Sequence, residues 1–208
     1  ALIQSVLDTN TDSLATPYIH SILVARRGKL VLEEYFYGYH MDRSHDMRSA
    51  SKTVTALMAG QVFATSEITP ETSVYDFLNQ ETPEDENQTY RDGLQVEHLL
   101  SMSSGFSCDD NDSNSPGQED FMQEQTHQLD WWQFALDLPM VQQPGTKGAY
   151  CTAGINLVGN AISLAADSSV QTFFKTNLAT PLGIDRYFMN LDPLGRGYSG
   201  GGLRMRPR

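Results

Sequence analysis

Hydrophobic and polar positions change period several times along the chain. Leu2, Ile3, Val6 and Leu7 recur at helical spacing and predict a short amphipathic helix. Residues 19–25 and 30–37 are rich in β-branched, aliphatic and aromatic side chains and flank Arg27-Gly28, which predicts an antiparallel hairpin. Over residues 49–63 the helical period returns, with Ala50, Val54, Leu57, Met58 and Val62 on one face. The other face carries the small residues Ala56, Ala59 and Gly60. A helix that is apolar or small nearly all round is expected to be buried.

Pro70 and a short segment, Val74-Tyr75-Asp76-Phe77-Leu78, precede a polar stretch over residues 80–92. Val96, Leu99, Leu100 and Met102 predict another helix, with Gly105 as its stop. Residues 107–128 are rich in Asp, Asn, Ser and Gln and read as a long surface loop. Asp130 is placed to cap a helix carrying Trp131, Trp132, Phe134 and Leu136. After the Pro144-Gly145 turn, Ile155, Leu157, Val158, Ala161 and Ile162 mark one helix, and Val170, Phe173, Phe174 and Leu178 mark another. The stretch from residue 195 to 208 is glycine-rich and then basic, and no internal repeat is visible. A lone hairpin is a marginal sheet, so something is expected to extend it, yet no further convincing strand is legible.

Composition narrows the class. The 208 residues are 39% hydrophobic and 19% charged, as in an ordinary globular protein. A chain of this length buries about 70% of its unfolded surface and needs no metal or disulfide to hold a core. The net charge of −12 repels phosphate backbones and anionic lipid, which argues against nucleic-acid partners. No apolar run reaches the roughly 18 residues of a membrane span. Cys108 and Cys151 are too few for a disulfide scaffold, and whether they are bridged stays open; a bridge would tie the acidic loop to the residue beside Tyr150. The start, Ala1-Leu2-Ile3-Gln4, lacks Met and a basic leader region, so the compartment is unknown, with a secreted or periplasmic setting slightly ahead of the cytoplasm.

The first candidate for chemistry is Ser49-Ala50-Ser51-Lys52. At i and i+3, Ser49 and Lys52 share a helix face. A hydroxyl becomes a useful nucleophile when a neighbouring base takes its proton, and a desolvated lysine can be that base. Lys52 is the only ionisable residue over positions 50–63. With 18 serines and 4 lysines, chance alone supplies about 0.35 Ser-x-x-Lys matches. Two readings of the pair therefore stand side by side: nucleophile and base, or a capping serine and a lysine snorkelling to the surface. Tyr150, between the Pro144-Gly145 turn and a helix start, either packs or presents its hydroxyl to a cleft as a proton relay. Counted from Asp110, the Asp-rich run fails the calcium-loop pattern, since the required Gly falls on Ser115 and the bidentate Glu on Phe121. The five histidines have no metal-ligand spacing, so neither a metal nor a cofactor is expected. Of the two tryptophans, one is expected in the core and one near a cleft, with Trp131 the candidate binding ring.

Taken together, Ser49-x-x-Lys52, the run Val96-Glu97-His98-Leu99-Leu100-Ser101-Met102-Ser103-Ser104-Gly105, and Tyr150-Cys151-Thr152-Ala153-Gly154 resemble the β-lactamase-related serine hydrolases. That superfamily takes in class C β-lactamases, penicillin-binding peptidases, family VIII esterases and 6-aminohexanoate-dimer hydrolases. The hairpin and the closing Gly200-Gly201-Gly202-Leu203 match its layout, so the resemblance runs from about residue 17 to the end. It implies an α/β fold of the β-lactamase/transpeptidase type, with an antiparallel sheet flanked by helices and a helical subdomain. It further implies that Ser49 is the acylated nucleophile and Lys52 its proton partner. Tyr150 would then act as base, alone or with Lys52, and protonate the leaving group.

Two departures accompany the resemblance. Thr152 stands where the family's Tyr-x-Asn motif has asparagine, which leaves Thr152 as a candidate substrate contact with a poorer hydrogen-bonding repertoire. The family's third motif, Lys-Thr-Gly or a variant on a later strand, is not recognisable, and relatives continue for roughly another hundred residues. A missing C-terminal segment, supplied as a docked second polypeptide, is the partner this implies. The expected divisions are residues 1–48 (helix and hairpin), 49–170 (nucleophile helix and helical subdomain) and 171–208 (a return toward the first part). The function expected is hydrolysis of a small-molecule ester, amide or lactam through an acyl-enzyme, with esterase or amidase ahead of true β-lactamase. The alternative is a non-catalytic module that binds peptidoglycan or a protein partner.

Overall fold

The computed structural model of the protein describes residues 1–9, 18–78, 87–124 and 126–208. Its contacts divide the chain into two units, residues 1–45 with 205–208, and residues 46–204.

In the first unit, helix α1 (Leu2–Leu7) buries Val6, and strands β1 (Ser21–Arg26) and β2 (Lys29–Tyr35) pair antiparallel from Ser21↔Tyr35 to Arg26↔Lys29. The two-residue turn puts Arg27 at φ 52° and Gly28 at φ 74°. Both are left-handed, the conformation whose twist matches the flanking strands. The expected hairpin is therefore present. Among the described residues no strand extends it, and Val24, Leu30 and Val31 remain exposed on it.

Helices dominate the regular structure of the second unit. Its elements are α2 (Ser51–Thr65), α3 (Val74–Phe77), α4 (Gln88–Asp92), α5 (Val96–Leu100), α6 (Glu119–Met122), α7 (Trp131–Leu136), α8 (Thr152–Ala165) and α9 (Val170–Phe174). Asp46 of β3 (His45–Asp46), Arg204 of β5 (Arg204–Met205) and β4 (Tyr187–Phe188) belong to a second small sheet, ordered β3-β5-β4. These two-residue strands carry no periodicity, which is why the sequence does not reveal them. The expected polar stretch lies outside the described residues up to 86, and its described end is helix α4.

The helix at the centre is α8. Gly159 and its neighbours Ala153, Gly154 and Ala161 let other chain segments approach closely, and α8 packs on α2, α5, α7 and α9. A Cβ at Gly159 would lie 2.2 Å from the Ser199 hydroxyl. Ile155, Leu157, Val158 and Ile162 are all buried there, and each contributes about 1.5–3 kcal/mol on leaving water. Helix α2, expected to be buried nearly all round, buries only one stripe: Ser51, Lys52, Thr55, Met58, Ala59 and Val62. Leu57, placed by periodicity on the core face, is 55% exposed. The uncharged outer face of α2 reflects its small residues rather than burial.

Two further expectations are corrected. Helix α5 ends before Gly105, because Met102 takes the left-handed conformation at φ 58°. Gly105 instead lets the chain pass close by: a Cβ there would sit 2.2 Å from the Gln142 carbonyl. The region from residue 107 is also no solvated loop. It contains α6, and it buries Cys108, Ser115, Gly117 and Met122. Cys108 and Cys151 form a disulfide.

Candidate active site

Ser49 lies in a 3-10 turn, Arg48–Ala50, that leads directly into α2. Arg48 just before it is left-handed at φ 46°, a conformation that costs a non-glycine residue about 1–2 kcal/mol. Surrounding bonds hold it there. Asp46 Oδ1 accepts the Arg48 N–H at 2.8 Å, and the Arg48 carbonyl accepts the Gly202 N–H at 3.3 Å. On either side, Met47 N–H donates to the Leu203 carbonyl at 3.0 Å and Leu203 N–H donates to Ser51 Oγ at 3.1 Å. The glycine-rich segment thus lies along the head of α2, where side chains would obstruct it. A Cβ at Gly200 would come within 2.5 Å of Thr152 and 2.7 Å of Tyr198.

Ser49 and Lys52 meet as their spacing predicts. The Lys52 ammonium donates to Ser49 Oγ at 3.0 Å and to the Gly200 carbonyl at 2.6 Å. Its third neighbour is the Tyr150 ring, whose centroid lies 5.0 Å from Nζ, within cation–π range. Lys52 is 9% exposed, whereas the serine before the helix is exposed. Among the described residues no carboxylate forms an ion pair with Lys52. Tyr150 is 38% exposed, and Lys52 is the neighbour that Ser49 and the Tyr150 ring share.

The two binding candidates fare differently. Thr152 is fully buried, and its backbone N–H donates to Asp110 Oδ2 at 2.9 Å. Its hydroxyl is buried and has no hydrogen-bond partner among the described residues. Trp131 is also buried, with its ring edge-on to Tyr198 at 5.3 Å. It lines a recess of about 480 Å³ with Phe188 and Leu191, and that recess shares Gln123, Asn190 and Tyr198 with the cleft holding Ser49.

That cleft, about 290 Å³, is walled by Asp46, Arg48, Glu119, Asp120 and Tyr198 beside Ser49. Burial, and then the carboxylate of Glu119, push the Tyr198 phenol well above its ordinary range. The phenol therefore stays protonated and donates to Glu119 Oε1. Gln123 donates to the same carboxylate at 2.9 Å. Glu119, Asp110, Tyr198 and the Gly200 carbonyl were not singled out by sequence. The first two are hidden in a run of interchangeable polar residues, and a backbone carbonyl leaves no residue-type signal. Among the described residues no group of three His, Cys, Asp or Glu side chains is arranged to hold a metal ion.

A serine hydroxyl bonded to a buried lysine at the head of a helix, with a tyrosine ring over the ammonium, is the arrangement that the resemblance leads one to expect. The beta-lactamase family matches the chain over residues 12–207, and the chain belongs to that family. Comparison with curated proteins found no match. Among solved structures, a candidate 6-aminohexanoate-dimer hydrolase from Bacillus anthracis superposes with a TM-score of 0.73 at 15% identity, covering 90% of this chain and 50% of its own. A candidate beta-lactamase from Bacteroides dorei gives 0.68 at 21% identity, with 89% and 53% covered. The octameric penicillin-binding protein homologue from Pyrococcus abyssi gives 0.66 at 22% identity, with 89% and 49% covered. These likenesses establish the β-lactamase/transpeptidase-like fold, and the chain spans about half the length of each of these proteins.

Proposed function

We propose that this chain carries the acylation site of a serine hydrolase that cleaves a small-molecule ester or amide. The observation that carries the reading is the exposed Ser49 hydroxyl, 3.0 Å from a lysine ammonium that is itself buried. In the proposed reaction, the Lys52–Tyr150 pair enters one proton short, as neutral amine beside phenol, and Ser49 Oγ attacks the substrate carbonyl while its proton passes to that pair. Collapse of the tetrahedral adduct returns that proton to the departing alcohol or amine and leaves an acyl-serine. Water then attacks the ester, gives up a proton to the same pair, and releases the acid and the free hydroxyl. The bond to Gly200 fixes the lysine, so that little reorganisation accompanies proton transfer.

The cleft favours an ester or amide over a β-lactam. Three carboxylates, Asp46, Glu119 and Asp120, wall it against the single guanidinium of Arg48, and β-lactams carry a carboxylate that such a wall repels. Thr152, buried where relatives place an asparagine, supports the same preference.

Denaturing intact-mass spectrometry before and after an activated ester tests the reading. One acyl group per chain, lost in Ser49→Ala, is the expected result, and any accompanying polypeptide appears in the same spectrum. An unmodified wild-type chain, or an adduct that survives Ser49→Ala, overturns it.

A further inference from the structure

The segment 108–110 holds three consecutive residues around Tyr150, and each by a different bond. The Asp110 N–H donates to the Tyr150 carbonyl at 2.7 Å. Cys108 is joined covalently to Cys151. Asp110 Oδ2 accepts the Thr152 N–H at 2.9 Å. With the carbonyl of 150, the side chain of 151 and the amide of 152 all fixed to one short stretch, the backbone that presents the Tyr150 ring cannot rotate by itself.

At the N-terminus of α8, Asp110 supplies the acceptor for the first N–H, that of Thr152. The Cys151 sulfur accepts the Gly154 N–H at 3.3 Å. The second Asp110 oxygen is used elsewhere, accepting the N–H of Glu119 at 2.9 Å. Glu119 in turn receives the Tyr198 hydroxyl, and two residues beyond Tyr198 lies the carbonyl that holds the Lys52 ammonium. The Asp110 carboxylate therefore joins the backbone beside Tyr150, at Thr152, to Glu119, whose own carboxylate reaches the segment that anchors Lys52.

We infer that Asp110, braced by the Cys108–Cys151 disulfide, is the positioning residue that sets Tyr150 against Lys52 and Ser49. The inference rests on the proton-transfer role proposed for Tyr150. Asp110 does not touch the reacting atoms. Its loss leaves substrate binding in place and displaces the proton relay, so it acts on kcat rather than KM.

The test uses the full chain with tyrosines labelled at the ring carbon bearing the hydroxyl, with Tyr150→Phe assigning the Tyr150 resonance. Asp110→Ala is expected to shift that resonance and to slow acylation by an activated ester by about tenfold to a hundredfold, with KM within about twofold of wild type. Asp110→Asn, which keeps the shape and one acceptor, is expected to fall between the two and decides the matter if Asp110→Ala does not fold. The Cys108→Ser/Cys151→Ser pair is expected to shift the same resonance. A folded Asp110 variant with an unmoved Tyr150 resonance overturns the inference, as does a loss confined to KM. A wild-type chain that is never acylated overturns the hydrolase reading instead, and the resonance still decides the role of Asp110.

Discussion

The ammonium of Lys52 and the carbonyl of Gly200 meet at 2.6 Å across 148 residues of sequence. A glycine occupies this position because a Cβ there would press on Thr152 at 2.5 Å and on the Tyr198 ring at 2.7 Å. Neither neighbour can yield, because Thr152 is fully buried and Tyr198 is 4% exposed. Gly200→Ala is expected to destabilise the protein by about 1–3 kcal/mol, read by urea unfolding. It should also reduce acylation of Ser49 beyond what the unfolded fraction accounts for.

Lys52→Met keeps the length of the side chain and removes its charge. A buried ammonium offsets much of its own pairing energy through lost hydration, so unfolding free energy is expected to change by less than about 1 kcal/mol. Turnover is expected to fall by at least about a hundredfold, the scale of a lost proton-transfer group. Circular dichroism melts beside ester hydrolysis separate the two quantities. A parallel loss of fold and activity would assign Lys52 to structure instead.

Asp130 accepts the N–H groups of Trp132 and Gln133 at 3.0 Å and receives the Arg196 guanidinium. Burial acts to raise its carboxyl, but the Arg196 hydrogen bond and these amides outweigh burial and hold it below its ordinary 3.8. The folded state thus binds this proton less readily than the unfolded chain. The associated stability is complete above the ordinary value and is lost as pH falls through the lower, folded one. Asp130→Asn keeps the cap and removes the charge, so its stability is expected to fall less steeply than that of wild type below about pH 4. Asp130→Ala also loses the cap and is expected to cost about 1 kcal/mol at neutral pH. Urea midpoints across an acid series measure both.

Gly105 combines a φ of 82° with a backbone neighbour that a Cβ would meet at 2.2 Å. The segment opposite is held by the Val141 N–H, which donates to the Gly105 carbonyl at 2.8 Å. Gly105→Ala is expected to cost about 2–4 kcal/mol, strain and overpacking together. If Gly105 only terminated a helix, the substitution would cost about 1 kcal/mol. Thermal or urea unfolding distinguishes these values.

Local chemistry was legible wherever neighbouring residues determine it. Arg27-Gly28 predicts the hairpin, Asp130 predicts the cap of α7, and three-residue spacing places Ser49 beside Lys52. Long-range packing decides the positions that were misread. Leu57 shares its expected core face with Met58 and Val62, yet those two are buried and Leu57 is not, while Ala59 from the opposite face is buried in its stead. Thr152 is next to Tyr150 in a motif, yet the first turn of a buried helix points it inward. Asp110 reads as one solvated carboxylate among several, and its use lies in backbone amides at residues 119 and 152, which have no side-chain signature. The disulfide stayed open in sequence because two cysteines 43 residues apart carry no information about proximity.

The contact between the head of α2 and the segment at 199–203 also governs the order of assembly. Thr55 to Ser199 closes a loop of 144 residues and Lys52 to Gly200 one of 148. Such closures carry the largest entropic cost and form late, after locally wound helices have collapsed. During synthesis, α2 therefore emerges long before the residues that secure its lysine. A nascent chain halted before Gly200 would display Ser49 and Lys52 without the carbonyl that holds the lysine, so the proposed site would be incomplete at that stage.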